Sequence, residues 1–558
     1  MNTALISLLI GQFVLFTVLS AFNPPLAQGV FRKIEQRVSA FANRRGLCIL
    51  TLFLLTVLLR LALLPIFEYP RPYVHDEFVR LTQADMIAHG KLAFPPHPMS
   101  RYFETFYLSF SPTYHAMYPP AQAAVLALGQ ILGNPWIGVL LSTAAMVAAA
   151  TWMLQSWFPA RWALLGGALV LLQFGVLSYW MNSYWGGSVA ALCSCLILGA
   201  LPRISSGKFV PSVPLLCVAF FILANSRPLE GSISCIPVGV FLLVEYLRNR
   251  PRRYALQVLL PIGGSLLLTL AFTLYYNWRL TGHLASFPEA VYYRQFMRVP
   301  VFLWENVTPT HKFDNPQFDV FYNSWFLQQF DGTLSSALSI EKTKISAFAS
   351  FFIGPWLTVP LLAIPWLLRD RHIRLPLIQI ALSFLGLLAV TWFHPHYAAP
   401  IFGGLILVLV QSVRHLRCWT LYDRPIGLTI TRLAVITLTF GLFMRIMIFA
   451  LTHSGGICTT CLYDWDRAHF TDQLRSIPGK HLVIVRYRPD HDVSREWVYN
   501  LAAIDESQII WTREIPGLDP APLLDYYRSR KVWLVEPDKK PPQMSPYLSH
   551  PGVPPNKY

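Results

Sequence analysis

"LCILTLFLLTVLLRLALLPIFEYPRPYVHDEF", residues 47–78, decides how the chain is read. Its first part, 47–67, carries one charge, Arg60, and is long enough to cross a hydrocarbon core of about 30 Å as a helix. The run then breaks at prolines and tyrosines. Directly beyond lie His75 and two adjacent carboxylates, Asp76 and Glu77, at the start of a short helical pattern. An acidic pair placed where a chain leaves a membrane calls for a reason.

Composition supplies the setting. Of 558 residues, 54% are hydrophobic, 14% aromatic and only 13% charged, against roughly 25% charged in soluble domains. The sequence predicts a polytopic α-helical membrane protein of about 12 transmembrane helices. Spans are expected near 2–21, 47–67, 136–156, 162–180, 185–202, 210–225, 229–247, 255–276, 346–368, 375–392, 398–413 and 429–452. The first has no basic flank of the kind that marks a cleaved signal peptide. The net charge of +16 does not point to nucleic acid, because in such a chain the placement of Lys and Arg carries the information.

That placement is regular. Loops 22–46, 157–161, 203–208, 248–253, 369–374 and 414–424 all hold basic residues, among them Arg44, Arg161, Arg203, Arg252, Arg371 and Arg417. The positive-inside rule makes this set cytoplasmic. Loops 68–135 and 277–345, the short turns at 181–184, 226–228 and 393–397, and everything after 452 are then extracytoplasmic. "YPPAQAAVLALGQILG" (118–133) is short for a span, and counting it as one would reverse every later loop. It is expected to lie on the outer membrane surface, entered through Pro119–Pro120. In the segment after His75, Glu77, Leu81, Ala84 and Ala88 share one helix face; Asp76, Arg80 and Gln83 share another.

Three regions follow: 1–46, an N-terminal helix and basic linker; 47–452, the membrane domain; and 453–558, where the pattern changes. There "HLVIVRY" (481–487), "SQIIWT" (507–512) and "KVWLVE" (531–536) read as strands, with a helix over 521–530. This predicts a small extracytoplasmic α/β domain whose tail, from Pro541, is irregular. Cys48, Cys193, Cys195, Cys217 and Cys235 fall in apolar spans as packing residues. Cys458 and Cys461 form one CxxC, half of a structural zinc set, and suit a local disulfide or no special role.

The unusual polar groups gather at outer helix ends, where a charge avoids full burial in lipid. They are Asp76, Glu77, Glu104, the "MNSYWGG" turn (181–187), "ANSRPLEG" (224–231), the segment 276–298 and "WFHPHYAAP" (392–400). A carboxylate there can accept a proton from a hydroxyl nucleophile. Arginines can hold a phosphate and stabilise its charge as it leaves. Pairing with Arg80 would favour the ionised form of Asp76, whereas an apolar setting would push Glu77 upward; the sequence leaves open which acts as base. Arg227 is read as a phosphate ligand or a snorkelling arginine, Arg294 and Arg298 as phosphate contacts or members of a surface helix. Arg60 is expected to snorkel or to pair with a loop carboxylate. His75 is tempting as a proton relay, although a histidine at a helix start is more often a surface residue. A metal at His394 and His396 would need further converging ligands and is not favoured.

In order along the chain, "HDEF" (75–78), "YPPAQAAVLALG" (118–129), "NSRPLEG" (225–231) and "YNWRLTGHLASFP" (276–288) resemble the polytopic GT-C glycosyltransferases. The likeness is to the dolichyl-phosphate-mannose protein mannosyltransferase-like and lipid A glycosyltransferase-like group, and runs from about Arg60 to about His415. It implies a GT-C-like fold, a polyprenyl-phosphate sugar donor and a lipid, glycan or protein acceptor. It also implies an inverting reaction at the outer face of the inner (plasma) membrane, with Asp76 or Glu77 as base. Substrate contacts would come from His75, Glu104, Tyr118, Asn182, Tyr184, Arg227, Arg294 and His396. Two departures stand out: relatives often have an aspartate where this chain has Asn182–Trp185, and a charged residue where it has Tyr118. Two alternatives remain open: a polysaccharide ligase or polymerase using lipid-diphosphate-linked glycans, and a polytopic transporter. A transporter would place ionisable groups near the midplane, and no internal repeat is evident.

Overall fold

The computed structural model describes residues 28–249, 252–354, 358–452 and 465–547, with isolated positions 11, 14, 15 and 18. The expected span 2–21, the Cys458–Cys461 pair and the end of the tail from 548 lie outside the described residues.

Most helices appear where the apolar runs predict them, but the expected span 346–368 does not form one: the helix from Leu334 passes into a wide turn, Ala349–Ile353, stops at Gly354 with positive φ, and is followed within that span, among the described residues, only by the short helices Thr358–Leu361 and Ile364–Leu367. The first described elements are an amphipathic α1 (Gln28–Ala42) and α2 (Arg45–Ala62). Next come α3 (His75–Ala88), α4 (Ala121–Ile131), α5 (Pro135–Trp157), α6 (Ala160–Val170), α7 (Ser188–Ser205) and α8 (Ser212–Ala224). They are followed by α9 (Pro228–Asn249), α10 (Arg252–Thr281, with one wide turn), α11 (Pro288–Phe296), α12 (Leu334–Phe348) and α13 (Arg374–Ala389). The membrane part closes with α14 (Phe402–Arg417) and α15 (Ile426–Thr452). Among the described residues seven helices are long and apolar enough to cross a bilayer, and 121–131, 160–175 and 212–224 form shorter apolar ones. The chain is an integral membrane protein whose core packs α5, α7 and α14 against one another, while α2 and α10 leave rows of leucines exposed to lipid.

At one end of the bundle Arg203 lies over Trp152, Arg414 over Phe158, and Glu35 of α1 bonds Arg417 and Arg432. At the other end lie α3, α4, the 181–187 turn, α11 and the C-terminal domain.

There α3 begins after Pro72-Tyr73-Val74. Glu77, third in the helix, folds back so that its Oε2 accepts from the backbone N–H of Tyr73 (3.0 Å) and Val74 (3.4 Å), an N-terminal carboxylate cap favoured by the helix dipole. The face bearing Leu81, Ala84 and Ala88 packs on Ala123, Leu126, Ala127 and Trp136 of α4 and α5, as its pattern predicts. The other side of α4 leaves Leu128, Ile131 and Leu132 exposed, the arrangement of a helix lying on lipid. α4 meets α5 in a tight elbow: a Cβ on Gly129 would stand 2.4 Å from Gly138 N, and one on Gly138 would stand 2.1 Å from the Val125 carbonyl.

The C-terminal unit starts with α16 (Trp465–Ser476) and has strands β1 (His481–Val485), β2 (Ile509–Arg513), β3 (Lys531–Glu536) and β4 (Gln543–Pro546), with a short α17 (Ala521–Tyr526) before β3. The sheet order is β2-β1-β3-β4. β1 pairs parallel with both neighbours, and β4 runs antiparallel to β3. β4 corrects the expectation of an irregular tail. Beyond Pro541–Pro542, residues 543–546 still donate and accept along an edge strand, the one place in a sheet where nearby prolines are tolerated.

α3 departs from expectation in one respect. It is not a surface helix with a free polar side; Phe78, Val79, Arg80, Thr82, Gln83, Asp85 and Met86 are all buried. The C-terminal domain covers the third face, which the helical pattern around His75 does not announce.

Candidate active site

The Asp76 carboxylate sits in the first turn of α3, half-buried, and accepts a hydrogen bond from the Tyr118 hydroxyl. The expected Asp76–Arg80 ion pair does not form. Instead Arg80 turns its Nη1 to the Pro119 carbonyl (2.9 Å) and lays its guanidinium over the Tyr118 ring, 4.1 Å from the centroid. Gln83 bonds the Tyr118 carbonyl (2.7 Å) and the Tyr276 hydroxyl (3.0 Å). One face of α3 thus grips the loop before α4, and Tyr118 stands between Asp76 and Arg80.

Arg227, just before α9, approaches from the other side. Its guanidinium lies over the Tyr397 ring at 4.2 Å, and its nearest carboxylate is Glu230 at 3.9 Å. The side chain is only 16% exposed. Burial, and then the charge of Arg227, hold Arg80 below its ordinary pKa. Burial acts to lower the Arg227 pKa, but Glu230, Tyr397 and Glu289 outweigh it and hold it above its ordinary value. Glu289, in the first turn of α11, belongs to the same group: burial and then Glu230 push its carboxyl upward, against Arg227 and Arg80. Beside it a small cleft runs along Pro119, Pro120, Asn225, Tyr276, Asn277 and Phe287. The buried Asn277 Oδ1 in that cleft has no hydrogen-bond partner among the described residues.

Glu77 is placed differently from Asp76. It is 5% exposed, and its Oε1 accepts from the Tyr184 N–H (3.0 Å) while Oε2 serves Tyr73 and Val74. Burial pushes it up to about 7 in spite of these three donors. Asn182 and Tyr184 are tied up as well. Asn182 accepts from Arg60 Nε (3.0 Å) and donates to the Val176 and Ser178 carbonyls; the Tyr184 hydroxyl bonds the Pro70 carbonyl (3.0 Å). The turn that carries them closes on Gly186 and Gly187, both at positive φ, where a Cβ on Gly187 would strike the Trp180 indole. Arg60 is fully buried, bonding the Phe67 and Glu68 carbonyls rather than snorkelling.

Glu77 therefore fastens α3 to the 181–187 turn. Glu77→Gln should cost about 1–3 kcal/mol, the price of an unsatisfied buried polar group. A protonated carboxyl keeps an acceptor on both oxygens, whereas an amide nitrogen must face a backbone N–H. Thermal unfolding in detergent measures this; an unchanged midpoint would remove the fastening role.

The remaining expected residues divide. His396 is buried against Tyr179 (Nδ1 to hydroxyl 3.1 Å), its ring parallel to that of His394 at 5.6 Å. Glu104 is half-buried, and its carbonyl accepts from Arg513 of the C-terminal domain (3.4 Å). Arg294 is exposed and bonds the Ala290 carbonyl of its own helix, apart from the group. His75 is 6% exposed, not a surface histidine, because Phe106, Phe321 and Tyr499 enclose it. Burial drops it to about 4. Among the described residues no three His, Cys, Asp or Glu side chains converge as a metal set. Arg80, Glu289 and Tyr397 were not singled out as site residues. Glu289 had a signal: an acid directly after Phe287-Pro288 at a helix start.

The site thus defines a class: an integral membrane protein with a carboxylate–arginine cluster at one end of its bundle, under a small α/β domain. No family model matches the chain, and no curated protein matches it in sequence. Among solved structures it is similar to ArnT from Cupriavidus metallidurans in the apo state, at 14% identity and TM-score 0.44, covering 89% of this chain and 93% of that one. The same protein bound to undecaprenyl phosphate aligns at 13% identity and TM-score 0.42, covering 87% and 92%. The Archaeoglobus fulgidus oligosaccharyltransferase tethered with an acceptor peptide aligns at 10% and 0.41, covering 87% and 68%. At such values the likeness is one of broad shape, and the chemistry is read from the residues.

Proposed function

We propose that this protein is a glycosyltransferase that moves a sugar from a polyprenyl-phosphate carrier to a hydroxyl of a lipid, glycan or protein acceptor, at the extracytoplasmic face of the inner membrane. The observation that carries the reading is the set of Asp76, Arg80 and Arg227: a half-buried carboxylate, the buried Arg80 guanidinium with no carboxylate paired to it among the described residues, and the half-buried Arg227, whose nearest carboxylate is Glu230 at 3.9 Å. A general base and an anion-binding pair are the two parts such a transfer needs.

In this mechanism Asp76 takes the proton of the acceptor hydroxyl as that oxygen bonds to the anomeric carbon. The bond from that carbon to the phosphate oxygen breaks with inversion, and both of its electrons leave on the polyprenyl phosphate. Arg227 and Arg80 stabilise the added charge. Phosphate is a competent leaving group, so no general acid is called for. Tyr118 orients the carboxylate, and Glu77 holds the helix that presents it. Asp76, with its hydroxyl donor and partial exposure, suits the base role better than Glu77, whose oxygens are spent on backbone N–H groups.

The test is incubation of the purified full-length protein with a panel of radiolabelled polyprenyl-phosphate sugars and membrane acceptors. Transfer from at least one donor is expected. Solute uptake by proteoliposomes without any transfer would sink the reading in favour of a transporter, and transfer only from lipid-diphosphate-linked glycans would favour a ligase. Within this assay Arg227→Ala should raise the KM for the donor about 10- to 100-fold, the range for losing one or two charge-assisted hydrogen bonds. Arg227→Lys should recover only part of it. An unchanged donor KM would remove Arg227 from phosphate binding.

A further inference from the structure

The segment Glu496–Ala502 lies before β2 in the C-terminal domain, more than 400 residues after α3, yet it runs along a single face of that helix. The contacts fall at His75, Phe78, Thr82 and Asp85, spaced three, four and three residues apart, which is one stripe of an α-helix. His75 Nδ1 meets the Tyr499 hydroxyl at 3.0 Å. The Phe78 ring stacks on the Tyr499 ring, centroids 4.6 Å apart and 3° from parallel. Thr82 Oγ1 donates to the Asn500 carbonyl (2.8 Å), and Asp85 Oδ2 accepts from the Ala502 N–H (2.8 Å). The other Asp85 oxygen accepts from Gln130 of α4 (2.6 Å), so this carboxylate joins three separate parts of the chain.

The segment is itself braced. Asn500 exchanges two hydrogen bonds with the Trp511 backbone, both 2.8 Å, which pins it to β2. Arg467 lies between the Phe78 and Trp511 rings, 4.7 and 4.8 Å from their centroids, and donates to the Trp497 (2.9 Å) and Tyr499 (3.0 Å) carbonyls. Glu496, fully buried, pairs with Arg513, accepts from the Tyr487 hydroxyl and caps the Val498 N–H. Only Leu501 points outward, at 51% exposure.

We propose that Glu496–Ala502 is a positioning strut for the reaction centre: it sets the rotation and axial position of α3, and thereby where Asp76 presents its carboxylate, with Tyr499 as the principal contact. The C-terminal domain is then part of the catalytic unit and not a separate binding module. The inference rests on the reading of Asp76 as the base. Asp76 is one residue beyond His75, so a small rolling of α3 moves its carboxylate directly.

The experiment compares wild type, Tyr499→Ala, Tyr499→Phe, Leu501→Ala and Asp76→Asn as full-length proteins in lipid nanodiscs. It reads kcat and donor KM together with hydrogen exchange over residues 75–88. A misplacement of about 1 Å at a reacting group can cost on the order of 100-fold, so Tyr499→Ala should lower kcat about 10- to 100-fold. Donor KM should rise by a smaller factor than kcat falls, because Arg80 moves with α3 but Arg227, which lies off this helix, is untouched. Exchange over 75–85 should accelerate. Tyr499→Phe, which keeps the ring stack, should recover most of the loss, and Leu501→Ala should match wild type. A merely structural role would lower the folded fraction and leave kcat per folded molecule unchanged; that result, or unaltered exchange over α3, overturns the strut. If Asp76→Asn abolishes turnover while Tyr499→Ala leaves kcat intact, the strut fails and the catalytic reading stands. If Asp76→Asn transfers normally while Tyr499→Ala still loosens α3, the catalytic reading fails and only the mechanical link survives.

Discussion

Asp76→Asn should lose about 10²- to 10⁴-fold in kcat, the range for removing a general base, with little change in donor KM or in thermal stability. The amide is nearly isosteric and can still accept from Tyr118, so the fold has no reason to fail. What disappears is the capacity to take a proton. The measurement is steady-state transfer with the cognate donor, run beside Glu77→Gln. The contrast between the two is the informative part. Asp76→Asn should give a stable, inactive protein, and Glu77→Gln a less stable one whose folded fraction still turns over. The reverse pattern would move the base to Glu77, and normal turnover by both would remove a base from this helix altogether.

The second large effect lies far from Asp76 in sequence. Glu496→Ala leaves Arg513, whose side chain is 0% exposed, facing an empty position. Breaking a buried pair by removing one partner costs about 3–5 kcal/mol, because the remaining charge is stranded. Arg513 also bonds Gln317 (3.0 Å) and the Glu104 carbonyl, so the loss should loosen the C-terminal domain from both long loops. Limited proteolysis and thermal unfolding of the full-length protein measure it: cleavage within 465–547 should speed up and the midpoint should fall. An unchanged proteolysis rate would show that the domain is held by its apolar contacts alone.

The pair also gives a pH dependence with a definite sign. Burial acts to raise the Glu496 carboxyl, but Arg513 and the hydrogen bonds outweigh it and hold it below its ordinary value of 4.5. Folded and unfolded states are equally ionised above that value, where the stabilisation is fully present. It is lost as pH falls below 4.5 and through the folded value. Acid release of the domain should therefore be blunted in Glu496→Ala, which has no such carboxyl left to protonate.

The membrane part was legible because its rules are local. Apolar runs of helical length, basic residues on alternate loops and a Pro-Pro entry placed α2, α4 and α5 close to where they stand, and the period of Leu81, Ala84 and Ala88 picked out the face of α3 that packs on α4. Other features obeyed no local rule. His75 reads as a surface residue because nothing nearby encodes a tyrosine arriving from position 499. Arg60 reads as a snorkelling arginine because three backbone and amide oxygens, from Phe67, Glu68 and Asn182, converge on it only after folding. Arg80 invited an ion pair four residues back, a spacing that favours one on an isolated helix; the Tyr118 ring and the Pro119 carbonyl outcompete it here. Glu289 reads as an ordinary helix-start acid because the charges around it, Glu230, Arg227 and Arg80, come from other elements of the chain.

The elbow between Gly129 and Gly138 bears on how anything enters this centre. Two backbones touching without side chains between them cannot slide or hinge without losing that contact, so α4 and α5 travel as one piece. α3 is fastened to that piece through Ala84 and Gln130. If the donor carries a long isoprenoid tail, as proposed, its doorway therefore has no moving panel formed by α3, α4 or α5.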